Sequence, residues 1–474
     1  MLIYYQKYSL PIVSFGILLF VFCVAEIVTT PTLSAHALIK EGDANLPVND
    51  IKIDGIKTAR ERIEAAKKES STHLDLSMLG LKELPPGLFE LEGLKTLDLS
   101  YNQLTELPSD ITQLENLEEF HLFFNKLTSL PSEIGRLENL KRLSLSILAL
   151  KELPPELFEL EGLESLDLTS NHLTELPPAI KSLTNLQTLN LINNNLTSLP
   201  PEIVELENLK DLDLSLNQLT SFPPEIGRLE NLQTLSLRSN ELTSFPSEIV
   251  QLENLKDLNL SLSGLTNLPP EIGRLENLQI LYLSSNGMAS LPPEIGQLEN
   301  LKELELSFNR LTNLPSEIGQ LGNLEGLNLS YNKLTSLPPE IVELENLKDL
   351  DLSLNQLTSF PPEIGRLENL QTLSLRSNEL TSFPSEIVQL ENLKDLNLSL
   401  SGLTNLPPEI GRLENLQILS LRFNELTNLP PEVIQLKNLT YLELNDNLFS
   451  PKEKARLNKK IKEVLKNIID IFGK

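Results

Sequence analysis

Residues 93–115 read Gly93-Leu94-Lys95-Thr96-Leu97-Asp98-Leu99-Ser100-Tyr101-Asn102-Gln103-Leu104-Thr105-Glu106-Leu107-Pro108-Ser109-Asp110-Ile111-Thr112-Gln113-Leu114-Glu115. The same unit restarts at Asn116, Asn139, Gly162, Asn185 and onward to Asn438, fifteen steps of 23 from Gly93 without insertion or deletion. One step back reaches Ser70, so sixteen complete units fill residues 70–437 and a partial one follows. Such a period overrides the soft expectation that 474 residues make about three domains of roughly 150 each.

Apolar residues recur where Leu94, Leu97, Leu99, Leu104, Leu107, Ile111 and Leu114 stand, and neither a two-residue nor a 3.6-residue period fits all seven. Leu97-Asp98-Leu99 alternates as a short strand does, Asn-x-Leu predicts a turn, and Leu-Pro-x-x-Ile-x-x-Leu predicts an irregular or short helical return. A lone unit leaves too much of its apolar surface in water to offset the entropy of ordering its backbone. Stacked units cover one another. The expected architecture is an α/β repeat: a right-handed solenoid with seventeen strands in one parallel concave sheet, spaced about 4.8 Å apart over roughly 80 Å, and a helical cap at each end.

These positions resemble the leucine-rich repeat consensus L-x-x-L-x-L-x-x-N-x-L from Ser70 to about Phe449. The form Leu-Pro-x-Glu-Ile-Gly-x-Leu-x-Asn-Leu is similar to that of the secreted leptospiral-type family, and also to cytosolic Ras-scaffold and GTPase-linked repeat proteins. The secreted resemblance implies surface exposure and adhesion to host proteins or glycans; the Ras-regulator resemblance implies a cytosolic or membrane-tethered scaffold. The consensus Asn falls at Asn102, Asn125, Asn171 and on to Asn447, where its amide can satisfy buried backbone groups. It is replaced at Leu79, Leu148, Ser263 and Ser401. Ser restores part of that bonding and Leu148 none, which predicts a local irregularity there.

The ends read differently. Residues 1–37 hold Lys7, the apolar run from Ile12 to Ala25 and then Ala35-His36-Ala37, the pattern of an export signal. Fourteen apolar residues fall short of the roughly 20 that span a bilayer, although an uncleaved anchor is the alternative. Lipidation of Cys23, the only cysteine, is disfavoured by Phe22 before it. A chain matured beyond Cys23 has no thiol for disulfides, metal sites or nucleophilic catalysis. After a linker over residues 38–57, a capping box of Thr58 and Glu61 predicts a helix over residues 58–70 with Ile63 and Ala66 inward. Beyond the array, Ser450-Pro451-Lys452-Glu453 predicts a second cap, a basic amphipathic helix over residues 450–474.

Lys and Arg number 39 against 66 acidic residues, a net charge of −27, and the C-terminal segment is itself basic. That charge repels phosphate backbones and disfavours nucleic acid as a partner. Membrane contact is confined to the N-terminal segment or the basic C-terminal helix. No nucleotide-binding, hydrolase or zinc-protease motif occurs, so neither catalytic residues nor a cofactor are expected. Residues 196–281 reappear letter for letter as 334–419, which favours a repeated surface over one catalytic centre.

Two groups of outward side chains are candidates for function. His73, Asp75, Asp98, Glu119 and His121 share the sheet face of the first three repeats, where metal ligation is chemically conceivable but a solvated polar patch is the favoured reading. The second is a column just before the Asn: Met78, Tyr101, Phe124, Ile147, Leu216, Leu262, Phe308, Tyr331, Leu354, Leu400 and Phe423, flanked by Phe123, Tyr282, Arg238, Arg376 and Arg422. Exposed aromatic and aliphatic side chains beside Arg are common anchors of protein interfaces, so this column predicts a protein or glycan ligand on the concave face. The competing reading has the column packing on itself under the turn.

Overall fold

The 23-residue step is realised as one strand, one turn and one return arm per repeat. The structure, a computed structural model, describes residues 54–464 except Thr243 and Thr381, with side chains as far as Lys459. The export-signal reading, Cys23, most of the linker and the last ten residues lie outside the described residues. Seventeen three-residue strands run from β1 (His73–Asp75) and β2 (Thr96–Asp98) to β17 (Tyr441–Glu443) in one parallel sheet. Each pairs with its sequence neighbour at a shift of 23, as Leu74 opposite Leu97 and Leu97 opposite Phe120 show. Because the shift equals the repeat, identical positions align in columns. The chain is a solenoid with a parallel sheet along one side.

All seven apolar positions of the quoted unit are buried, Leu94, Leu97, Leu99, Leu104, Ile111 and Leu114 completely. The return arms are single 3-10 turns such as Ser109–Gln113, and their cause is a spacing of three. Pro108, Ile111, Leu114 and Leu117 are joined by successive i→i+3 bonds: Ile111 N–H to the Pro108 carbonyl (3.1 Å), Leu114 to Ile111 (3.1 Å) and Leu117 to Leu114 (3.0 Å). Three residues per turn put Ile111, Leu114 and Leu117 on one inward face.

The consensus Asn closes the coil. The Asn102 amide donates to the carbonyls of Leu76 (2.9 Å) and Leu99 (2.8 Å), while its oxygen accepts from Leu79 (3.2 Å) and Leu81 (2.9 Å) N–H. Asn125 donates to the same Leu99 carbonyl (3.0 Å) and takes the Leu104 N–H (3.0 Å), so each amide ties two coils. A second ladder, unread in the sequence, runs along the opposite side: Asn116 donates to the Glu92 carbonyl (2.8 Å) and Asn139 to that of Glu115 (2.9 Å).

Where Ser263 and Ser401 replace the consensus Asn, their hydroxyls donate to the Leu237 (3.1 Å) and Leu375 (3.2 Å) carbonyls. Leu148 is buried and bonds nothing through its side chain, yet the strands on either side, β4 (Arg142–Ser144) and β5 (Ser165–Asp167), keep their register. The irregularity is one of hydrogen bonding alone. An Asn there would accept the Leu127 N–H.

The first helix, α1, spans Gly55–Glu69 and starts three residues before the expected box. Asp54 is its cap, accepting the Lys57 N–H at 3.2 Å, and Gly55 lets the Leu79 carbonyl pass where a Cβ would clash. Thr58 and Glu61 therefore lie within the helix, and Asp54 to Lys57 belong to it rather than to a linker. Ala59, Ile63 and Ala66 are buried against the first repeat. At the other end α2 (Pro451–Val464) is capped by Ser450, which accepts the Glu453 N–H at 3.2 Å, and buries Leu457. Among the described residues no helix is long and apolar enough to cross a membrane.

Native-state hydrogen exchange tests the Asn ladder directly. The Leu127 amide is expected to exchange at least about tenfold faster than those of Leu104 and Leu150, which donate to Asn125 (3.0 Å) and Asn171 (3.1 Å).

Candidate functional site

After each strand the chain must leave the sheet within two residues so that the Asn can turn inward. It does so by one left-handed non-glycine residue per repeat, seventeen among the described residues from Met78 to Asp446, with φ between 53° and 59°; Gly80, Gly264 and Gly402 add a second where Leu79, Ser263 and Ser401 replace the Asn. Tyr101 shows the geometry: its φ is 55°, its N–H donates to the Phe123 carbonyl of the next coil at 3.0 Å, and its side chain projects into solvent. For an L-residue with a large side chain this conformation costs about 1 kcal/mol or more, least for Gly, Asn and Asp. Six of these positions hold Ser, Asn or Asp. The other eleven hold the Met, Tyr, Phe, Ile and Leu of the predicted column.

Those eleven side chains thus stand at the turn edge of the sheet rather than on the strands, which end three residues earlier. Phe124 and Phe308 are about half exposed, at 50% and 51%. Met78, Tyr101, Leu216, Leu262, Tyr331, Leu400 and Phe423 are also exposed, and Ile147 and Leu354 are intermediate. Phe308 and Tyr331 stack face to face with ring centroids 4.0 Å apart, above a shallow depression of about 480 Å³ that continues past Leu354. Tyr101 contacts both Phe123 and Phe124 at 5.0 Å, and the Arg422 guanidinium lies 4.5 Å over the Phe423 ring. Arg238 and Arg376 sit beside the column, each one residue before a serine, Ser239 or Ser377, that takes the column's place in its repeat. Of the column and its flanking residues only Tyr282 is a strand residue, on β10 (Ile280–Tyr282). The column packs partly on itself and still presents an apolar, aromatic edge.

The strand face is more acidic and more structured than the sequence suggests. At the last strand position a carboxylate or amide caps the N–H two residues on: Asp98 accepts from Ser100 (2.8 Å), Asp213 from Ser215 (2.9 Å) and Asp351 from Ser353 (2.9 Å). This Asx geometry holds the chain as it bends toward the left-handed residue. In the mid-array, burial and the neighbouring Asp213 carboxylate push Asp257 up to about 6. Burial likewise raises Asp213, Glu303 and Asp395 above the ordinary carboxylate range.

The N-terminal polar patch is already engaged. His73 Nδ1 lies 2.8 Å from Thr72 Oγ1, Asp75 caps Ser77 (2.8 Å), Asp98 caps Ser100, and Glu119 pairs with Arg142. His121 Nε2 is 4.0 Å from Glu119. Among the described residues no three His, Cys, Asp or Glu converge as metal ligands would.

Leucine-rich repeat sequence patterns match this chain over residues 72–127, 138–196 and, in overlapping stretches, 184–288 and 299–403. A two-copy pattern of such repeats matches residues 276–318 and a single repeat matches 415–436. The chain belongs to the leucine-rich repeat family. No curated protein matches it. Among solved structures, a leucine-rich repeat protein of Leptospira interrogans is 44% identical over 86% of this chain and 97% of its own, with a TM-score of 0.72. The Drosophila Toll–Spatzle complex gives 26% identity over 78% of this chain and 54% of that one (TM-score 0.67). The Arabidopsis receptor kinase HAESA, solved with the peptide hormone IDA and the co-receptor SERK1, gives 27% over 80% and 75% (TM-score 0.54).

Within this leucine-rich repeat framework the acidic columns escape a reading of the sequence because Asp alternates with Thr, Ser and Asn at a 23-residue spacing, invisible along the chain. The elevated Asp257 gives a signed expectation. Its folded-state value exceeds the unfolded one, so charging it opposes folding as pH rises from about 4 to above 6. Asp257→Asn is expected to stabilise the protein by about 1 kcal/mol at pH 7.5, after discounting for partial exposure, and to be neutral near pH 4. Denaturant melts at the two pH values decide it.

Proposed function

We propose that this protein is an exported, non-enzymatic binding module that acts at the cell surface or in the periplasm by adhering to a macromolecular partner, a protein in the first instance, along the aromatic turn edge of its sheet. The observation that carries the reading is the choice of residue at the left-handed positions. A backbone with φ near 55° favours Asn, Asp or Gly there, and solvent favours a polar side chain. Eleven of the seventeen repeats instead place a large apolar residue at that point, at a cost in strain and hydration that folding does not require. A surface that is expensive to maintain and apolar over runs of successive repeats, such as Met78 to Ile147 and Phe308 to Leu354, has the character of a recognition site.

Two further lines support it. The Toll and HAESA structures were each solved with a protein or peptide ligand, which fits a protein partner for this fold. The N-terminal apolar segment followed by Ala35-His36-Ala37 has the form of an export signal, which supports action outside the cytosol. N-terminal sequencing of the exported fraction tests location: a mature chain starting near Leu38 is expected, and an unprocessed cytosolic chain would refute it.

Binding is tested with Phe124→Asp and Phe308→Asp, both at solvent-exposed sites that leave the core untouched. Each is expected to weaken capture of a shared partner from envelope and extracellular-matrix fractions by about 30-fold, with unchanged circular dichroism and a melting temperature that does not fall. Retention of every partner by both variants would end this reading while leaving the fold intact.

A further inference from the structure

The identity of residues 196–281 with residues 334–419 extends from the sequence to the folded surface. The first copy contains β7 (Asp211–Asp213), β8 (Thr234–Ser236) and β9 (Asp257–Asn259), and the second β13 (Asp349–Asp351), β14 (Thr372–Ser374) and β15 (Asp395–Asn397). Their backbones agree closely and their inner polar contacts match, while the outer edge differs: Lys210 donates to Gln187 in the first copy and Lys348 pairs with Glu325 in the second. The left-handed Leu216 and Leu354 have φ of 58° and 55°, and Leu262 and Leu400 have 59° and 58°. Ser215 and Ser236 hydroxyls are 2.7 Å apart, Ser353 and Ser374 2.6 Å. Lys256 donates to Gln233 at 3.0 Å, Lys394 to Gln371 at 2.8 Å.

Because all strands are parallel and in register, the two copies follow one another with the same strand direction, six strands or about 29 Å apart along the sheet at roughly 4.8 Å per strand. They are separated by β10, β11 (Glu303–Glu305) and β12 (Gly326–Asn328), whose outward residues differ from both. Identical side chains in closely matched frames bind one ligand with similar affinity, provided its footprint stays within three strands.

The chemistry of each copy is graded across its width. The strand face presents Asp211, Asp213 and Asp257 in one copy and Asp349, Asp351 and Asp395 in the other. Among the described residues no ion pair engages any of these six carboxylates, and the nearby Lys256 and Lys394 are turned to Gln partners. The turn edge presents two leucines, Leu216 and Leu262 or Leu354 and Leu400, with Leu354 the least exposed. Arg238 acts on Asp213 from the turn side, but carboxylates without an ion-pair partner beside an apolar rim still complement a segment that offers amines next to aliphatic side chains.

We propose that the chain carries two equivalent docking surfaces, each taking one copy of the same cationic, leucine-type polypeptide segment, so that two copies sit side by side in the same orientation. This rests on the reading that the sheet side of the molecule binds protein. It adds the partner's chemistry and the stoichiometry.

Titration calorimetry and native mass spectrometry of the full chain test it, with an end-blocked nonapeptide of alternating lysine and leucine as the probe and its glutamate–leucine counterpart as control. Two peptides per chain are expected, with dissociation constants equal within about threefold, and no binding of the control. Asp211→Asn with Asp257→Asn is expected to reduce the stoichiometry to one, as is Asp349→Asn with Asp395→Asn. All four together should weaken binding at least tenfold. The Asp213 and Asp351 caps are left in place so that the strand ends stay folded. One peptide per chain, more than two with no response to the substitutions, or no binding would each overturn the proposal. Should the peptide bind once while Phe124→Asp and Phe308→Asp still abolish partner capture, the twin surfaces fail and the turn-edge reading stands. Two peptides bound, with every partner retained by those variants, would uphold the twin surfaces and remove the turn-edge reading.

Discussion

An asparagine amide has two donors and one acceptor oxygen, and in this solenoid all are spent on the backbone of two coils. Asn125 reaches the Leu99 and Leu122 carbonyls and takes the Leu104 N–H, so the side chain of one repeat supplies partners that its predecessor cannot find in its own strand or turn. The coil-to-coil backbone bonds run on to the left-handed residue, but N–H groups of the turn such as that of Leu104 find no backbone acceptor, and buried peptide groups without partners are costly. The amide removes that cost while drawing successive coils to a fixed spacing. Leucines can then fill the interior because the polar backbone around them is already satisfied.

The same turn creates the surface. The residue before the Asn position adopts φ near 55° in every repeat, also where Leu148, Ser263 or Ser401 replaces the Asn, and its side chain is thereby aimed outward while the next one turns inward. Structural need and display are coupled at neighbouring positions: Asn102 is buried and Tyr101 exposed, Asn309 buried and Phe308 exposed. A mutation at the outer position changes what is displayed without disturbing the core, whereas one at the inner position affects two coils at once. This division explains how a nearly invariant scaffold can carry a variable row of aromatic, aliphatic and hydroxyl side chains.

The stacking, the buried leucines and the inward role of Asn are legible in residues 93–115, because a strict 23-residue period fixes which positions share an environment. The return arm is less sharply legible: Pro108, Ile111, Leu114 and Leu117 follow a three-residue spacing that matches a 3-10 turn, and a search for helical or strand periods alone passes over it. The start of α1 is misread from the chain because Thr58 and Glu61 imitate a capping box, whereas Asp54 caps the Lys57 N–H and the clearance that Gly55 leaves for the Leu79 carbonyl is displayed only by the folded chain. The apolar column is visible in the sequence, but as part of the strand face; its left-handed backbone depends on where the strand stops. The acidic columns are not visible there, since residues such as Asp213 and Asp257 are separated by two repeats in the chain and brought together only by pairing.

Leu148 gives the array a mechanical asymmetry. Elsewhere neighbouring coils are riveted by an amide or, at Ser263 and Ser401, by a hydroxyl, but at Leu148 the side chain contributes apolar contact and no rivet. Dispersion and burial resist separation only over short distances, and they slide more readily than directional bonds do. A solenoid tethered at one end and pulled at the other would therefore part first at this joint, releasing the N-terminal repeats as a block and leaving the longer C-terminal array, with both twin segments, intact.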